Sequence, residues 1–243
     1  MHTIKEIIPI IKNAEYGVVF TGAGVSVESG IAPFTGAGGL WNQYDPKFIE
    51  INFFLSDPKR SWQEMKKIFF TDMDEAQPNK AHTIIAKLEK KGYMKGVITQ
   101  NIDGLHQKAE SANVQEFHGT IKTLSCQKCL RKYKLEDVNI EEVPPMCMCG
   151  GVLKPDFVFY GEGIPPHAYE KSLEMAQNAD VMLIVGTAGQ VMPACSLPLI
   201  AKQFGATIIE VNPQKSAFTD SITDFYFPQK ATEFFALLEK ELF

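Results

Sequence analysis

TGAGVSVESGIAPFTG, residues 21–36, is the most informative stretch of the chain, and it directly follows a short apolar run at 16–20. The run is partly β-branched and ends at glycines, which predicts a buried strand. Gly22 and Gly24 allow a tight turn close to a bulky ligand, and Ser26 is placed to cap a short helix. Since the free N–H groups of a helix start attract anions, this arrangement predicts a phosphate-binding site. The glycine spacing differs from the common pattern G-x-G-x-x-G, so a plain tight turn stays the alternative.

The composition is that of an ordinary globular chain with a mildly acidic balance. Of the 243 residues, 45% are hydrophobic and 22% are charged, and the net charge is −5. This length can hold one large core, or one core and a small extra module. The charge gives no reason to expect specific nucleic-acid binding or attraction to an anionic membrane. Residues 1–12 predict an amphipathic helix rather than a signal peptide, and no run is apolar enough to span a bilayer, so we expect a cytoplasmic protein.

Short apolar strands alternate with helical patterns along the rest of the chain. The predicted strands are 96–99, 114–117, 181–185 and 207–211, and the predicted helices include 79–91, 168–177, 194–204 and 231–242. This alternation predicts an α/β fold whose parallel sheet is covered on both faces. Polar or glycine-rich residues follow each strand. Because ligands bind at the carboxyl edge of such sheets, we expect these residues to share one site.

Four of the five cysteines form two close pairs. Cys126 and Cys129 have the spacing of zinc ligands, whereas Cys147 and Cys149 are one residue closer than usual. The second pair needs a turn to bring both thiols to one side, and the glycines at 150–151 can supply it. We therefore expect a structural Zn²⁺ site, in which four thiolates leave no open coordination position. A metal-free module is the alternative.

Three motifs occur together in this chain. They are the glycine loop at 22–31, TQNIDGLH at 99–106, and His118-Gly119 followed by the four-cysteine insert. Together they resemble the sirtuin family, the NAD-dependent protein lysine deacylases, and the match covers nearly the whole chain. The resemblance implies a Rossmann-like, doubly wound parallel sheet with two inserted modules. The implied domains are an NAD-binding domain at 1–36, 82–123 and 155–243, a cofactor loop and helical module at 37–81, and a zinc module at 124–154.

The resemblance also implies a reaction and a set of site residues. The acyl oxygen of an acyl-lysine protein or peptide attacks the ribose carbon C1′ of NAD as nicotinamide leaves, and a base then deprotonates a ribose hydroxyl. His118 matches that base, since the pKa of imidazole lies near neutrality, and Asn101 and Asp103 complete the implied catalytic set. The implied cofactor-binding residues are Gly22, Ala23, Gly24, Phe34, Thr35, Gln100, Asn101, Ile102, Asp103, Gly186, Thr187, Asn212 and Ala231. The implied substrate-binding residues are Met65, Ile68, Phe157, Val158 and Phe159, where the Val158 carbonyl accepts the acyl-lysine amide N–H.

Two positions depart from the family's usual residues near the cofactor. The family commonly has Pro-Asp-Phe-Arg where this chain has Ala-Pro-Phe-Thr at 32–35, and Thr35 cannot replace a guanidinium. Losing a charge-assisted hydrogen bond costs on the order of 1.5–3 kcal/mol, or roughly ten- to a hundredfold in affinity. Ala188 stands where a serine is frequent. Either NAD binds through other groups, or the enzyme is slow, or the chemistry has changed.

A third departure concerns the acyl group. The desuccinylating and demalonylating members carry Tyr-x-x-Arg in the helical module, and alignment through Trp62 places Met65 and Ile68 at those positions. An apolar pair offers no partner for a buried acyl carboxylate. We therefore expect neutral acyl groups, acetyl or longer aliphatic chains, to be preferred over succinyl.

Two other functions remain open at this point. One is an NAD-cleaving enzyme without lysine specificity, an ADP-ribosyltransferase or a glycohydrolase, which would keep His118, Asn101 and Asp103. The other is a catalytically weak sensor that binds NAD or ADP-ribose, for which Thr35 and Ala188 are the support.

Overall fold

The computed structural model describes residues 2–36, 38–70 and 75–243. Within these residues the helices are α1 Ile4–Lys12, α2 Ile51–Ser56, α3 Pro58–Phe69, α4 Lys80–Lys90, α5 Leu105–Lys108, α6 Pro166–Asn178, α7 Ser196–Gln203 and α8 Ala231–Leu242. The strands are β1 Gly17–Thr21, β2 Gly96–Thr99, β3 Val114–Glu116, β4 Gly119–Cys126, β5 Lys132–Lys134, β6 Leu153–Phe157, β7 Val181–Val185, β8 Thr207–Val211 and β9 Phe225–Phe227.

The larger sheet has six parallel strands in the order β3-β2-β1-β7-β8-β9. Every residue of β1 is buried, because successive side chains of this central strand enter cores on opposite faces of the sheet. Val19 packs with α1, α4 and α8 on one face. Val18 and Phe20 pack with α6 and α7 on the other. The predicted α/β fold with a doubly covered parallel sheet is confirmed.

The strand register places the loops that follow the strands along one edge. Thr21, the last residue of β1, pairs with Thr99 of β2 and with Val185 of β7, which are the last residues of their strands. Val185 in turn pairs with Val211 at the end of β8. The segments that begin at residues 22, 100, 186 and 212 therefore leave the sheet side by side, as predicted for an open α/β sheet.

A smaller antiparallel sheet, in the order β5-β4-β6, stands next to this edge. Its strand β4 begins at Gly119, directly after His118, and ends at Cys126. Gly119 has φ 71°, and a Cβ there would lie 2.1 Å from the Asp156 carbonyl oxygen, so a side chain has no room at this crossing. Helix α3 docks on the small sheet through Trp62, whose indole N–H donates to the Leu153 carbonyl at 2.8 Å.

Several local predictions are confirmed and others are corrected. The strands at 96–99, 181–185 and 207–211 and the helix at 231–242 have the predicted bounds. The strand predicted at 114–117 ends one residue earlier, and the predicted helices at 168–177 and 194–204 run from 166 to 178 and from 196 to 203.

The division into domains stays a prediction. Strands β4 and β6 cross both limits of the predicted zinc module, 124–154. The predicted module at 37–81 includes residues 37 and 71–74, which lie outside the described residues.

Candidate active site

A cavity of about 620 Å³ lies along the carboxyl edge of the large sheet and extends to the small sheet and α3. Of the residues predicted to act in catalysis or to bind cofactor or substrate, Asp103, Met65 and Ile68 do not line it. The predicted residues that do line it are Gly22, Ala23, Gly24, Phe34, Thr35, Gln100, Asn101, Ile102, His118, Phe157, Val158, Phe159, Gly186, Thr187, Asn212 and Ala231. The edge thus collects residues that are far apart in sequence into one site.

The glycine loop after β1 packs directly on the loop after β7. The Gly24 N–H donates to the Gly186 carbonyl at 2.8 Å. A Cβ on Gly24 would lie 2.7 Å from both the Cα and the carbonyl oxygen of Gly186, so only glycine permits this approach. The loop continues as two 3-10 turns, Ala23–Val25 and Val27–Ser29, rather than as the predicted helix start. Ser26 stands at the N-cap position of the second turn, as predicted, but its hydroxyl makes no capping bond.

Ser26 instead joins the two predicted residues Asn101 and Asp103. Its hydroxyl donates to Asp103 Oδ2 at 2.7 Å and accepts from Asn101 Nδ2 at 3.1 Å. The other oxygen of Asp103 accepts the Leu105 N–H at 2.9 Å. This explains why Ser26 is fully buried, and it fixes the orientation of both side chains. Sequence reasoning noticed Ser26 but missed its partners, since they lie 75 and 77 residues away.

Asn101 carries an unused hydrogen-bonding group. The residue is 4% exposed, and no described group hydrogen-bonds to its buried Oδ1 atom. Asn101 lines the large cavity and also a small one of about 10 Å³, which is shared with Ser26 and Asp103. A buried carbonyl oxygen without a partner is costly. A ligand that brings a hydroxyl or an N–H group, as NAD does, fits this position.

Two histidines lie buried behind this group. His106 Nε2 is 3.0 Å from the Thr21 hydroxyl, which donates to the Thr99 hydroxyl at 2.9 Å. Burial lowers the pKa of His82 to about 4, and burial lowers the pKa of His106 to about 3. Both rings are therefore neutral at pH 7. Neither lines the large cavity. His106 supports the end of β1 through Thr21, and His82 Nε2 lies 3.4 Å from the Ser26 hydroxyl.

His118 lies partly buried at the junction of the two sheets and lines the cavity. Its Nδ1 is 3.1 Å from the Gln100 carbonyl oxygen. Because a carbonyl oxygen only accepts, this bond places the proton on Nδ1 and leaves Nε2 as the acceptor in the neutral ring. Burial lowers the pKa of His118, opposed by the bond to Gln100. The ring is therefore neutral near pH 7 and able to take up a proton at Nε2.

The cavity reaches across the sheet to the end of β8. Thr187 links the two sides, because its hydroxyl accepts from Gln100 Nε2 at 3.0 Å and its carbonyl from Asn212 Nδ2 at 3.0 Å. The Tyr226 hydroxyl donates to the Asn212 carbonyl at 3.0 Å and holds that loop in place. From β2 to β8 the sheet spans three strand spacings, about 14 Å. An extended ligand such as a dinucleotide fits this length.

The opposite end of the cavity is aromatic. Phe34 lies 5.4 Å from Trp41 and 6.3 Å from Phe69, measured between ring centroids. The Phe69 ring is 5.4 Å from Phe157, whose ring is 4.8 Å from Phe159. Among the described lining residues, the lysines are Lys215 and Lys230, which follow β8 and precede α8. No described lysine or arginine therefore lines the aromatic end itself.

Met65 and Ile68, predicted to contact the substrate, are buried in the core beside this end and do not line the cavity. Phe69, from the same helix, does line it. All three lie on the apolar stripe of α3, and the helical pattern alone does not distinguish the position that faces the cavity. Sequence reasoning therefore found the stripe that includes Phe69 but assigned the substrate contact to Met65 and Ile68.

The four cysteines of the insert come together as predicted. Their sulfur atoms lie within 4.8 Å of one another. The turn required by Cys147 and Cys149 is present, because Gly150 has φ 78° and its N–H donates to the Cys147 carbonyl at 2.8 Å. A backbone N–H of Cys149 and the Tyr133 hydroxyl, 3.0 Å away, lower the pKa of the Cys147 thiol to about 6. Four sulfurs in this arrangement fit a structural Zn²⁺ ion with no open position.

The chain is similar to known proteins over almost its full length. The model of the Sir2 family matches residues 22–193. A Pyrobaculum aerophilum protein named NAD-dependent protein deacylase 2 is 43% identical over 238 residues, covering 96% of this chain and 93% of the relative. A Sir2 complex with a deacetylated p53 peptide and 3′-O-acetyl ADP ribose has TM-score 0.94 at 35% identity, covering 99% of this chain and 98% of that one. Sir2Tm bound to a propionylated peptide has TM-score 0.90 at 34% identity, over 99% and 98% of the two chains.

Proposed function

The chain belongs to the Sir2 family and is an NAD-dependent protein deacylase, and from this premise we propose the part that each site residue takes. When bound, NAD supplies a ribose carbon, C1′, that the acyl oxygen attacks as nicotinamide leaves. The residues of this chain have two tasks in the reaction: they hold NAD and the acyl-lysine in place, and they accept one proton. The observation that carries the assignment is the hydrogen bond between His118 Nδ1 and the Gln100 carbonyl, 3.1 Å long.

His118 is the general base in this proposal. The bond to Gln100 fixes the tautomer, so Nε2 is the atom that accepts a proton from a ribose hydroxyl. The lowered pKa keeps the ring unprotonated near neutral pH. The His118 carbonyl also accepts the Val158 N–H at 2.8 Å, which ties the base to the segment that receives the acyl-lysine.

Asn101 and Asp103 bind the nicotinamide half of the cofactor. Asn101 has the unpartnered Oδ1, and Asp103 is oriented by Ser26 and by the Leu105 N–H. Phe34 shares the small cavity with both and also lines the large one, where we propose that its ring excludes water from the reacting sugar. Ser26 is a positioning residue, because it contacts the two side chains rather than the large cavity.

The remaining cofactor contacts come from three loops at the sheet edge. We propose that Gly22, Gly24 and Gly186 approach the pyrophosphate closely through their backbone, and that Asn212 binds the adenosine ribose. Thr35 lines the cavity and is exposed, so it leaves an open position where the family commonly has arginine. The N–H groups of Gly22, Gly24 and Gly186 donate to backbone carbonyls, so in this proposal these glycines serve by letting the loops approach the pyrophosphate without a side chain, and no guanidinium assists.

The substrate is an acyl-lysine in a protein or peptide, and we propose that its acyl group is neutral. Phe69, Phe157 and Phe159 line the acyl end of the cavity, and the lysines among the described lining residues lie on the β8 side. A succinyl carboxylate would be desolvated there, since the nearby ammonium of Lys154 does not line the cavity and is already paired with Glu162. Equal concentrations of acetyl-lysine and succinyl-lysine peptides in one reaction test this, and faster desuccinylation would rule it out.

The reaction is tested by mass spectrometry with NAD and an acetyl-lysine peptide. We expect deacetylated peptide together with O-acetyl-ADP-ribose. His118→Ala should abolish both products, whereas His167→Ala, at an exposed position on α6, should leave them unchanged. Nicotinamide release with an untouched peptide would indicate ADP-ribosyl transfer or NAD hydrolysis instead. Tight cofactor binding with no nicotinamide release would indicate a sensor, for which Thr35 and Ala188 are the support.

The cellular location stays a proposal. None of the helices in the described part of the chain is long and apolar enough to cross a membrane. The cysteines that the structure describes form no disulfides, and a four-cysteine zinc site needs reduced thiols. We therefore propose a cytoplasmic enzyme that acts on acylated proteins without specific nucleic-acid binding.

A further inference from the structure

Lys154 is the one buried lysine among the described residues, with 5% of its surface exposed. It belongs to β6, and it does not line the active-site cavity. Burying an ammonium group is expensive unless its charge and all three of its N–H donors find partners. None of the roles assigned so far to the site residues explains why a lysine is buried at this position.

All three donors of Lys154 are used, and two of them go to its own segment. Nζ donates to the Pro155 carbonyl at 2.9 Å and to the Phe157 carbonyl at 3.0 Å. Its third partner is Glu162 Oε2 at 2.9 Å. The ammonium also lies 3.9 Å from the centroid of the Phe159 ring, a cation–π distance.

Glu162 completes the arrangement from the other side. The same Oε2 atom accepts the Phe159 N–H at 2.7 Å. The ion pair therefore holds backbone groups before and after Val158, while the Val158 N–H is held by His118 at 2.8 Å. Both Phe157 and Phe159 line the cavity. The pair thus sets the backbone of the segment that carries the acyl-lysine contacts.

We propose that the Lys154–Glu162 ion pair is a positioning device for the acyl-lysine substrate, holding residues 157–159 so that the Val158 carbonyl and the two phenylalanine rings keep fixed places in the tunnel. The proposal rests on the role assigned above to Val158. Lys154 acts through the backbone and contacts neither substrate. Its loss should therefore weaken the binding of the acylated peptide and leave the binding of the cofactor unchanged.

The experiment compares steady-state constants of the zinc-loaded full chain for an acetyl-lysine peptide and for NAD. In Lys154→Met we expect the KM for the peptide to rise at least tenfold, with the KM for NAD within twofold of its original value. Lys154→Arg, which keeps the charge beside Glu162, should restore part of the peptide affinity. Lys132→Met is the matched control, because Lys132 lies in the same sheet, is 76% exposed, and pairs only loosely with Asp156 at 3.9 Å.

A second variant protects the test against simple unfolding. Lys154→Met leaves Glu162 without its ion pair, whereas Lys154→Met/Glu162→Gln removes both charges and should fold. If the two KM values rise together, or if the folded double variant binds the peptide normally, the proposal is overturned. Calorimetric binding of ADP-ribose and of the acetylated peptide gives the same comparison without turnover. A wild-type chain that binds both ligands but forms no product would contradict the proposed function and not the positioning role.

Discussion

Gly24→Ala isolates the close contact between the loops that follow β1 and β7. The added Cβ would lie 2.7 Å from the Cα and the carbonyl oxygen of Gly186, and ordinary contact begins at 3.4 Å. Both neighbours are backbone atoms that cannot rotate away, so the loops must separate by about 0.7 Å. The hydrogen bond from Gly24 to Gly186, now 2.8 Å, would then be lost.

The cost follows from these two effects. Overpacking by one methyl group costs about 1–3 kcal/mol, and the lost hydrogen bond adds about 1 kcal/mol. The free energy of unfolding should therefore fall by about 2–4 kcal/mol, which lowers the Tm of a chain of this size by about 5–15 °C. The KM for NAD should rise at least tenfold, because the displaced backbone is the proposed pyrophosphate site.

Gly163→Ala is the matched control for this substitution. A Cβ at Gly163 meets nothing within 4 Å, and its φ lies outside the left-handed range. Both variants share the stabilisation, about 0.4–1 kcal/mol, that alanine gives by restricting the unfolded chain. Calorimetry and steady-state kinetics on the two proteins measure the difference. Equal Tm values and equal KM values for NAD would refute the argument that this contact shapes the site.

Three other changes have defined outcomes. Thr35→Arg should lower the KM for NAD about tenfold, because it adds a charge-assisted hydrogen bond at an exposed cavity position. An unchanged KM for NAD would mean that the bound cofactor does not lie within reach of this position. The free energy of unfolding should fall as the pH drops below about 6.5, by up to about 1.4 kcal/mol per pH unit for each of His82 and His106. In the unfolded chain both histidines take up a proton near that pH, whereas in the folded chain their pKa values are about 4 and about 3. Urea titrations between pH 4.5 and 7 measure that slope, and it should become shallower in His106→Gln. Removing zinc with a chelator should lower both Tm and activity, with recovery on adding Zn²⁺. The reason is that β4 begins directly after His118, the proposed base, and ends at the zinc ligand Cys126. Full activity in metal-free protein would contradict this link.

The large sheet was predictable because its information is local. Strands such as 181–185 are short apolar runs bounded by polar or glycine residues, and their parallel order follows from the helices between them. The smaller sheet was not predicted, since β4 and β5 mix buried and exposed positions without a regular apolar pattern. Its existence depends on pairing with β6, which begins 27 residues after Cys126.

Within the site, motifs located the cavity but not the supporting contacts. Ser26 looked like a helix cap because serine often is one, and its actual partners, Asn101 and Asp103, become visible only once β1 and β2 are paired. The same limit applies to Lys154, which a sequence presents as one more charged residue before a proline. Its burial depends on the way that residues 157–162 fold back over it.

The position of β1 in the sheet has a consequence for the newly made chain. Its neighbours are β2, which begins 75 residues after β1 ends, and β7, which begins 160 residues after it. At about 5–20 residues per second, a ribosome needs roughly 8–32 s to reach β7 after completing β1. During that interval one edge of a strand that is fully buried in the native protein has no native partner, and the glycine loop has no Gly186 to pack against. Since unpaired strand edges promote association between chains, the nascent chain is exposed to wrong pairing until β7 is made, and the NAD site can form only after the loop that follows β7 has been synthesised.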